Sequence, residues 1–263
     1  MTTVRDIETF LYAWAPRETA ESWDNVGLLV GRGDREVRRV LAALDVTPAV
    51  AAEAAELGAD LIVAHHPVMN VRWHEREMQT LRDDTRLGGL LTCLVRQDLS
   101  VICMHTNLDA AEGGVNDCLA QKLGLSGTIP LNEQKIGRIG TLSCEIPLEQ
   151  FLHDVVKSLG CRGLRYRGGG RPVHRVAVGG GACGEYIPQA LAQGCDTFVT
   201  SDLRYNDFLD TQGLNLIDAG HFPTEDVVCA EVVRRLQKAF PDIRVSKSAV
   251  HHDAVQYYMT EGE

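Results

Sequence analysis

The sequence lacks the features typical of membrane-spanning, secreted and nucleic-acid-binding proteins. Near Met1 no basic segment joins an apolar one, and no apolar run approaches the roughly 18 residues needed to cross a bilayer. Basic residues are outnumbered, 26 Lys and Arg against 36 Asp and Glu, which gives a net charge of −10. This acidic excess disfavours a broad phosphate-binding surface. We therefore expect a cytoplasmic protein with no membrane partner and no general nucleic-acid partner.

Paired cysteines are also missing. The eight cysteines form no CxxC pair, and several lie within apolar runs such as "VICMH" and "VVCAEVV". This pattern predicts buried thiols in a reducing compartment rather than a disulfide framework or a zinc finger. The 263 residues are 44% hydrophobic, which is enough to fill the core of one large or two ordinary domains.

Apolar strands alternate with helices along the chain. "VRDIETFLYAWAP" has apolar residues at helical spacing and predicts a first helix closed by Pro16. "PAVAAEAAELG" predicts a helix that ends at Gly58, and "ADLIVA" then predicts a short buried strand. His65 and His66 follow this strand directly, and Pro67 favours extended backbone before it. Open α/β sheets bind ligands at the carboxyl ends of their strands.

A second copy of this pattern occurs later in the chain. "GCDTFVTSD" aligns with "GADLIVAHH" without a gap, so that Ser201 and Asp202 stand where the two histidines stand. Either the match reflects the general similarity of helix-to-strand connections, or the chain has two related lobes. We predict an α/β protein with two similar lobes, each with a central mixed sheet flanked by helices. The first lobe is expected over residues 1–128 with 216–263 returning to it, and the second over 129–215.

Two more apolar strands end in polar residues. "LSVICMHTNLDAAEGG" places His105 and Asp109 after a buried strand, and "LNLIDAGHFPTEDVV" places His221 and Glu225 after another, with a helix from about Pro223. His221 and Glu225 are four residues apart, so one helical turn would bring them onto the same face. Neutral imidazole and carboxylate groups are ligands of zinc, manganese and iron. The three strand ends therefore favour a divalent metal site.

Each of these residues also has an ordinary interpretation. A histidine near a strand end is most often a solvated or hydrogen-bonded loop residue, Asp109 could cap its turn, and Glu225 could charge the first turn of its helix. The recurrence of His-His-Pro, His-x3-Asp and His-x3-Glu at the same edge favours a metal site over three separate accidents. The remaining histidines are flanked by charged or terminal sequence and are predicted to lie on the surface: His74, His153, His174, His251 and His252.

Four motifs together resemble a known family. "SWDNVGLLVG", "LIVAHHP", "HTNLDAAEGGVND" and "DAGHFPTE" are similar to the motifs of the dinuclear metal-binding, NGG1-interacting-factor-like family that includes the GTP cyclohydrolase 1 type 2 homologs. The resemblance runs in the family's order from about residue 5 to 250. It implies two divalent ions, zinc, manganese or iron, in the cleft between the lobes. It also implies a homohexamer without the extra domain of longer relatives. The implied metal ligands are His65, His66, Asp109, His221 and Glu225.

The resemblance implies hydrolytic chemistry, because a two-metal centre activates water and clamps the oxygens of a hydrolytic step. The expected substrate is a nucleotide or another small phosphorylated or heterocyclic compound, with GTP as a candidate. The alternative is a metal-binding scaffold or regulatory protein without turnover. His105 is not among the implied ligands. We expect it to support the ligands or shuttle a proton, or else to form a capping hydrogen bond. Trp23, Asp24 and Asn25 line the cleft or, as we favour, hold a turn.

One glycine-rich loop raises a competing interpretation. "GGGACG", residues 179–184, satisfies G-x-G-x-x-G after the strand "RVAV", with Asp202 near the distance expected for a ribose-binding acid. Against dinucleotide binding, Pro188 interrupts the following helix and the aligned segment "ALDVTP" has no glycine pattern. The loop could still bind a substrate phosphate, or it could be a tight strand-to-helix turn.

Overall fold

The chain divides into two compact units. A computed structural model describes residues 1–69 and 80–258. Unit 1 comprises Met1–Glu112 and Cys229–His251, and unit 2 comprises Gly113–Val228 and the segment from His252 onward. Each unit is thus built from two separate stretches of sequence, and each contains its own sheet and its own helices.

Unit 1 has a five-stranded sheet. Its strands are β1 (Gly27–Val30), β2 (Arg39–Ala43), β3 (Leu61–Ala64), β4 (Ser100–Cys103) and β11 (Arg244–Lys247). The strand order is β1-β4-β3-β2-β11, and all neighbours are parallel except β1, which runs antiparallel to β4 at one edge. Its helices are α1 (Val4–Trp14), α2 (Pro48–Glu56), α3 (Arg86–Arg96), α4 (Thr106–Ala110) and most of α10 (Val227–Ala239).

Local sequence explains where the first helices begin. Thr3 and Asp6 form a reciprocal capping box at the start of α1, and Thr47 caps α2 through a hydrogen bond from the backbone N–H of Val50. Pro48 occupies the first turn of α2, where its missing N–H has no helical partner to lose. The predicted first helix, alanine-rich helix and "ADLIVA" strand are confirmed.

The core of unit 1 explains why its central strand β3 is apolar throughout. All four residues of β3 are buried. Ile62 and Ala64 point into a cluster with apolar residues of α2 and α3, whereas Leu61 and Val63, which alternate with them, are buried outside that cluster. A strand covered on both faces needs an unbroken apolar run, and this leaves polar residues to begin where the strand ends.

Unit 2 has a six-stranded mixed sheet in the order β5-β6-β8-β9-β10-β7, in which β8, β9 and β10 are parallel and the other pairings are antiparallel. Its strands are β5 (Ser126–Pro130), β6 (Arg138–Ile146), β7 (Arg165–Arg167), β8 (Val173–Val178), β9 (Thr197–Thr200) and β10 (Asn215–Asp218). Its helices are α5 (Val115–Lys122), α6 (Leu148–Leu159), α7 (Ile187–Ala192), α8 (Tyr205–Asp210) and α9 (His221–Glu225), followed by the start of α10.

Two apolar clusters lie on opposite faces of the unit 2 sheet. Val199 of β9 packs in the cluster that includes Phe151 of α6, whereas the preceding Phe198 packs in the cluster that includes Ile187 of α7. Successive strand residues point to opposite faces, so the strand must be apolar on both. The predicted fold class, α/β with central mixed sheets flanked by helices, is confirmed.

The internal repeat is visible in hydrogen bonds as well as in sequence. Gly58 and Gly194 follow helices α2 and α7 with φ of 63° and 72°. Asp60 and Asp196, two residues later, each use one carboxylate oxygen to accept two successive backbone N–H groups at the start of the neighbouring parallel strand. In both units a third parallel strand and an antiparallel edge strand complete the pattern: β4 and β1, β10 and β7. This shared pattern favours two related lobes over a chance similarity of helix-to-strand connections.

The bounds of the observed units differ from those of the predicted lobes. Helix α5 and the first three residues of β5 lie within residues 1–128 but belong to unit 2, and α9, which lies within residues 216–263, also belongs to unit 2. The lobes 1–128 with 216–263 and 129–215 stay a prediction about folding units. Within the described ranges, no helix is long and apolar enough to cross a membrane. Five cysteines are buried, in agreement with the predicted buried thiols: Cys103, Cys161, Cys183, Cys195 and Cys229.

Candidate metal centre

The carboxyl edge of the unit 1 sheet collects histidines. Strands β3 and β4 are parallel neighbours, so the residues that follow them emerge at the same edge. His65 and His66 follow β3, and His105 follows β4 after a single intervening residue. One ligand nitrogen from each of the three rings lies within 4.8 Å of the others. The predicted convergence of these two strand ends is therefore present in unit 1.

Both histidines of the His-His pair are oriented through Nδ1. Nδ1 of the buried His65 lies 2.7 Å from the carbonyl oxygen of Met104, and Nδ1 of His66 lies 2.7 Å from Oδ1 of Asp45. Carbonyl and carboxylate oxygens only accept hydrogen bonds, so each Nδ1 must carry the proton. In the neutral tautomer the lone pair is then on Nε2, which is how metal-binding histidines are usually prepared.

His105 is oriented in the same way by the first sequence motif. Its Nδ1 lies 2.9 Å from Oδ1 of Asp24, whose other oxygen accepts hydrogen bonds from the backbone N–H and the hydroxyl of Thr106. Burial raises the pKa of Asp24, but the hydrogen bonds from His105 and Thr106 outweigh it and lower the pKa to about 2. The Trp23 ring meets the His105 ring edge-on, and the Asn25 amide donates to the Met69 carbonyl. These contacts tie the motif to the segments that follow β3 and β4, and Asp24 orients His105, while the turn-holding role stays a prediction. His105 bonds Asp24 through its side chain instead of capping α4.

Asp109 lies one helical turn beyond His105. It belongs to α4, a single turn in which the N–H groups of Leu108 and Asp109 both donate to the His105 carbonyl. Its carboxylate is nearly buried, and Oδ1 is 3.6 Å from Nε2 of His65. Ligand atoms that each sit about 2 Å from one ion lie roughly 3–4 Å from each other. Asp109 and His65 are thus placed to share an ion.

Unit 2 carries the remaining two predicted ligands on α9. His221 and Glu225 occupy one face of this single turn, with Nε2 and Oε2 3.0 Å apart. The helix begins at His221, not at Pro223 as predicted, because a proline in the first turn loses no helical hydrogen bond. Nδ1 of His221 lies 2.6 Å from Oδ2 of Asp202, a residue in the left-handed region with φ of 54° that aspartate tolerates better than most side chains.

The electrostatics around His221 call for a positive charge. Burial lowers the pKa of His221, but the charge of Glu225 and the hydrogen bonds to Asp202 and Glu225 outweigh it and raise the pKa to about 11. Two carboxylates therefore flank one imidazole in unit 2. In the absence of metal, the ring proton supplies positive charge between the carboxylates. A divalent cation bound at Nε2 would take the place of that proton. The donor set of both units, imidazole Nε2 atoms and carboxylates, fits a divalent transition metal.

The glycine-rich loop serves Glu225 rather than a phosphate. Three of its backbone N–H groups already donate to side chains. The three pairs are Gly180 N to Asn116 Oδ1 at 2.9 Å, Gly181 N to Thr224 Oγ1 at 3.1 Å, and Cys183 N to Thr200 Oγ1 at 3.1 Å. Amides bound in this way do not form the open cradle that a dinucleotide or phosphate needs. A Cβ atom at position 181 would lie 2.1 Å from Oε1 of Glu225, so glycine is required there by the approach of the carboxylate. The tight-turn interpretation is favoured.

Comparison with known proteins identifies the family. A family model described as Duf34/NIF3 (NGG1p interacting factor 3) matches residues 2–254. The chain belongs to the NIF3 family. Among its relatives, a Clostridium perfringens protein named "GTP cyclohydrolase 1 type 2 homolog" is 33% identical, covering 89% of this chain and 91% of the relative. A Streptomyces coelicolor protein of the same name is 34% identical, covering 86% and 82%.

Solved structures of NIF3 relatives share the fold. A Staphylococcus aureus hypothetical protein superposes with a TM-score of 0.89 and 31% identity, covering 97% of this chain and 99% of that one. A Bacillus cereus protein related to NIF3 has a TM-score of 0.89 and 25% identity, covering 98% and 99%. The alignment with a Halalkalibacterium halodurans relative runs over 358 positions, more than the 263 residues of this chain, so that relative contains a segment that this chain lacks.

Sequence reasoning missed the acceptors behind the histidines. Asp45 stands in "ALDVT" at the end of β2, where the same strand-end argument applied to the other motifs would have selected it. The sequence aligns Asp202 with His66 and offers it as a ribose-binding acid, but does not identify it as the acceptor behind His221. The surface prediction for His251 is wrong, since its side chain is 9% exposed and bonds Asp45. His153 and His252 are exposed as predicted, and His174 is half-buried. His74 lies outside the described residues.

The contact between Gly181 and Glu225 gives a testable prediction about stability. Alanine at Gly181 meets the carboxylate of Glu225, whereas Gly194 has the same left-handed backbone with no heavy atom within 4 Å of an added Cβ. Backbone strain alone should lower the free energy of unfolding of Gly194→Ala by about 1–2 kcal/mol. Overpacking against Glu225 should lower the free energy of unfolding of Gly181→Ala by about 1–3 kcal/mol more. Urea unfolding of both variants measures the difference. Equal losses would show that Glu225 moves aside easily and that the loop is not shaped around it.

Proposed function

We propose that this NIF3 protein is a hydrolase that depends on a dinuclear metal centre. The observation that carries the proposal is the orientation of its histidines: Nδ1 of His65, His66 and His221 each lies against an oxygen acceptor, which leaves Nε2 as the atom that would bind a metal. In unit 1 the Nε2 atoms would offer lone pairs directly, and in unit 2 Nε2 of His221 would exchange its proton for the ion. The residues that would hold the metals are His65, His66, Asp109, His221 and Glu225.

The size and composition of the ligand set support two ions. A catalytic zinc ion usually has three protein ligands and keeps one position open. Five ligands exceed that number, and two of them, Asp109 and Glu225, are carboxylates whose negative charge would help to hold a second ion. We include the unit 2 residues in the same centre because the motif order of the whole chain matches that of the family. Mixed imidazole and carboxylate ligation suits an exchangeable, water-bearing centre better than a closed structural one.

The residues of the chain divide the chemistry between them. When bound, divalent ions acidify water and polarise a carbonyl or phosphoryl oxygen, which is the chemistry of hydrolysis. Asp109 and Glu225 supply the negative charge that holds such ions, and His65, His66 and His221 supply lone pairs. His105, oriented by Asp24 and with a ring nitrogen beside those of His65 and His66, supports the ligands or passes on a proton.

The proposed substrate is a nucleotide or another small phosphorylated or heterocyclic compound. Relatives bear the name "GTP cyclohydrolase 1 type 2 homolog", which makes GTP the first compound to test. A shared ligand set specifies metal chemistry and leaves the substrate open. The proposal is for a small-molecule substrate and not for a macromolecular one, in keeping with the acidic chain.

The first test of this function is metal content. Protein purified without chelator should contain two divalent ions per chain by elemental analysis. Asp109→Ala and Glu225→Ala should lose metal and keep their circular dichroism spectra, because both residues lie in single-turn helices rather than in the core strands. Asp34→Ala, at a carboxylate that is 83% exposed, is the control and should retain both ions. A wild-type content near zero after dialysis against zinc, manganese and iron would exclude the centre.

The second test is hydrolysis. Metal-loaded wild type and Glu225→Ala should be assayed on a panel of nucleotides, including GTP, and simple phosphoesters. Removing a residue that supports a metal ligand lowers activity by roughly 10–100-fold. Because Glu225 is itself a proposed ligand, turnover in the variant should fall by at least this factor, with a smaller change in substrate binding. Asp34→Ala should keep the wild-type rate. Indistinguishable background rates in wild type and Glu225→Ala across the panel would favour a metal-binding scaffold or regulatory protein.

The third test concerns assembly. We propose a homohexamer, on the basis of the family resemblance. Light scattering on the purified chain should give about six times its 28.8 kDa mass. Closed symmetric assemblies keep their mass on dilution when their interfaces are large. A monomer mass across micromolar concentrations would overturn this proposal without affecting the metal centre.

A further inference from the structure

A row of three hydrogen-bonded side chains lies behind one proposed metal ligand. Nδ1 of His66 lies 2.7 Å from Oδ1 of Asp45, and Nε2 of His251 lies 3.0 Å from Oδ2 of the same carboxylate. The side chains of His66 and His251 are 14% and 9% exposed, and that of Asp45 is 41% exposed. Asp45 therefore bridges two largely buried imidazoles, and only one of them is a proposed ligand.

The strand order of the sheet produces this row. Strands β3, β2 and β11 are parallel neighbours in that order, and His66, Asp45 and His251 follow their carboxyl ends. The ladder continues beyond the strands, because the N–H of His66 donates to the carbonyl of Leu44 at 2.9 Å. The register that pairs β2 with β3 thus also places Asp45 beside His66.

Nε2 of His251 contacts both the carboxylate and the backbone of Asp45. The backbone N–H of Asp45 is directed at Nε2 of His251, 3.1 Å away, and one ring nitrogen cannot donate and accept at once. An unprotonated Nε2 would turn its lone pair toward the carboxylate, so donation to Oδ2 is the favourable arrangement.

The outer histidine is itself fixed in place. The hydroxyl of Ser248 and the backbone N–H of Ala249 donate to the two oxygens of Glu53 in α2, and the N–H of His251 donates to the Ser248 hydroxyl at 3.2 Å. The segment after β11 is therefore fastened to a helix of the same unit before it reaches His251. A half-exposed carboxylate with one hydrogen bond could turn toward water, whereas a second bond from an anchored ring holds its plane.

We propose that Asp45 and His251 are positioning residues for metal binding: Asp45 fixes the Nδ1–H tautomer and orientation of His66, and His251 fixes Asp45. The inference rests on the proposed metal centre and deepens it. Neither residue is a ligand. The affinity for one of the two ions then depends on a hydrogen bond delivered by the chain after β11, at a position with no contact to the ion.

Zinc binding to matched variants tests the row. Zinc affinity is measured by competition with a chromophoric chelator on the full-length protein. Asp45→Ala should weaken one of the two zinc ions by about 10–100-fold, and His251→Phe, which keeps the ring volume but loses the donor, should weaken it by about 10-fold. His251→Gln retains an N–H donor and should bind as wild type does. His252→Phe, at the exposed neighbouring position, is the control and should also bind as wild type does.

A second readout does not require metal. The ring-nitrogen NMR signals of metal-free protein labelled in histidine report the tautomer of His66, assigned by their loss in His66→Gln. Wild type should show a protonated Nδ1 and a bare Nε2. Asp45→Ala should convert His66 to the mixture of tautomers typical of a solvated imidazole, and His251→Phe should shift it in the same direction. A purely structural role for these residues would leave the tautomer unchanged.

The outcomes separate this inference from the proposed function. If wild type binds no zinc while Asp45→Ala still alters the His66 tautomer, the metal centre fails and the positioning role of Asp45 stands. If wild type binds two zinc ions and Asp45→Ala binds both as tightly with the tautomer unchanged, the positioning role is overturned and the metal centre stands. Equal weakening by His251→Gln and His251→Phe would overturn the role assigned to the His251 hydrogen bond.

Discussion

The register of the parallel strands in unit 1 is the constraint on which the candidate site depends. Ala64 of β3 pairs with Ala43 of β2 and with Cys103 of β4, so the three strands end at one level. The residues that follow each strand then meet at one edge. A slip of one residue in β3 would exchange the faces on which His65 and His66 point and would separate both from their acceptors. Because all four β3 residues are buried, the apolar core resists such a slip.

Much of this arrangement can be predicted from the sequence. Apolar runs locate β3, β4 and β10, and the polar residues after them are prominent because the middle residues of these strands are apolar. The acceptors Asp45 and Asp202 are harder to find, since each acts on a histidine about twenty residues away through the pairing of strands. His251 is harder still, because its partner is more than two hundred residues away in the sequence. Local pattern predicts elements, whereas contacts across strands depend on register, which the pattern does not encode.

The two units share one supersecondary arrangement, but its equivalent residues have different proposed roles. In each, a short helix follows the third parallel strand and carries a carboxylate, Asp109 on α4 and Glu225 on α9. Where the aligned repeat has His66 in unit 1, it has Asp202 in unit 2, and there the side chain accepts a hydrogen bond from His221 instead of presenting a lone pair. The same backbone position thus presents a proposed ligand in one unit and the support of a ligand in the other. Backbone plan and chemical role are separable in this chain.

The glycine-rich loop of unit 2 has a consequence for how a ligand would be received. Three of its amides, those of Gly180, Gly181 and Cys183, are already bound by Asn116, Thr224 and Thr200, so these donors would not close around an incoming group. A loop that is ordered beforehand has little conformational entropy left to lose on binding. If Glu225 binds a metal as proposed, a substrate of that centre would meet this loop as a preorganised wall rather than as a segment that closes on it.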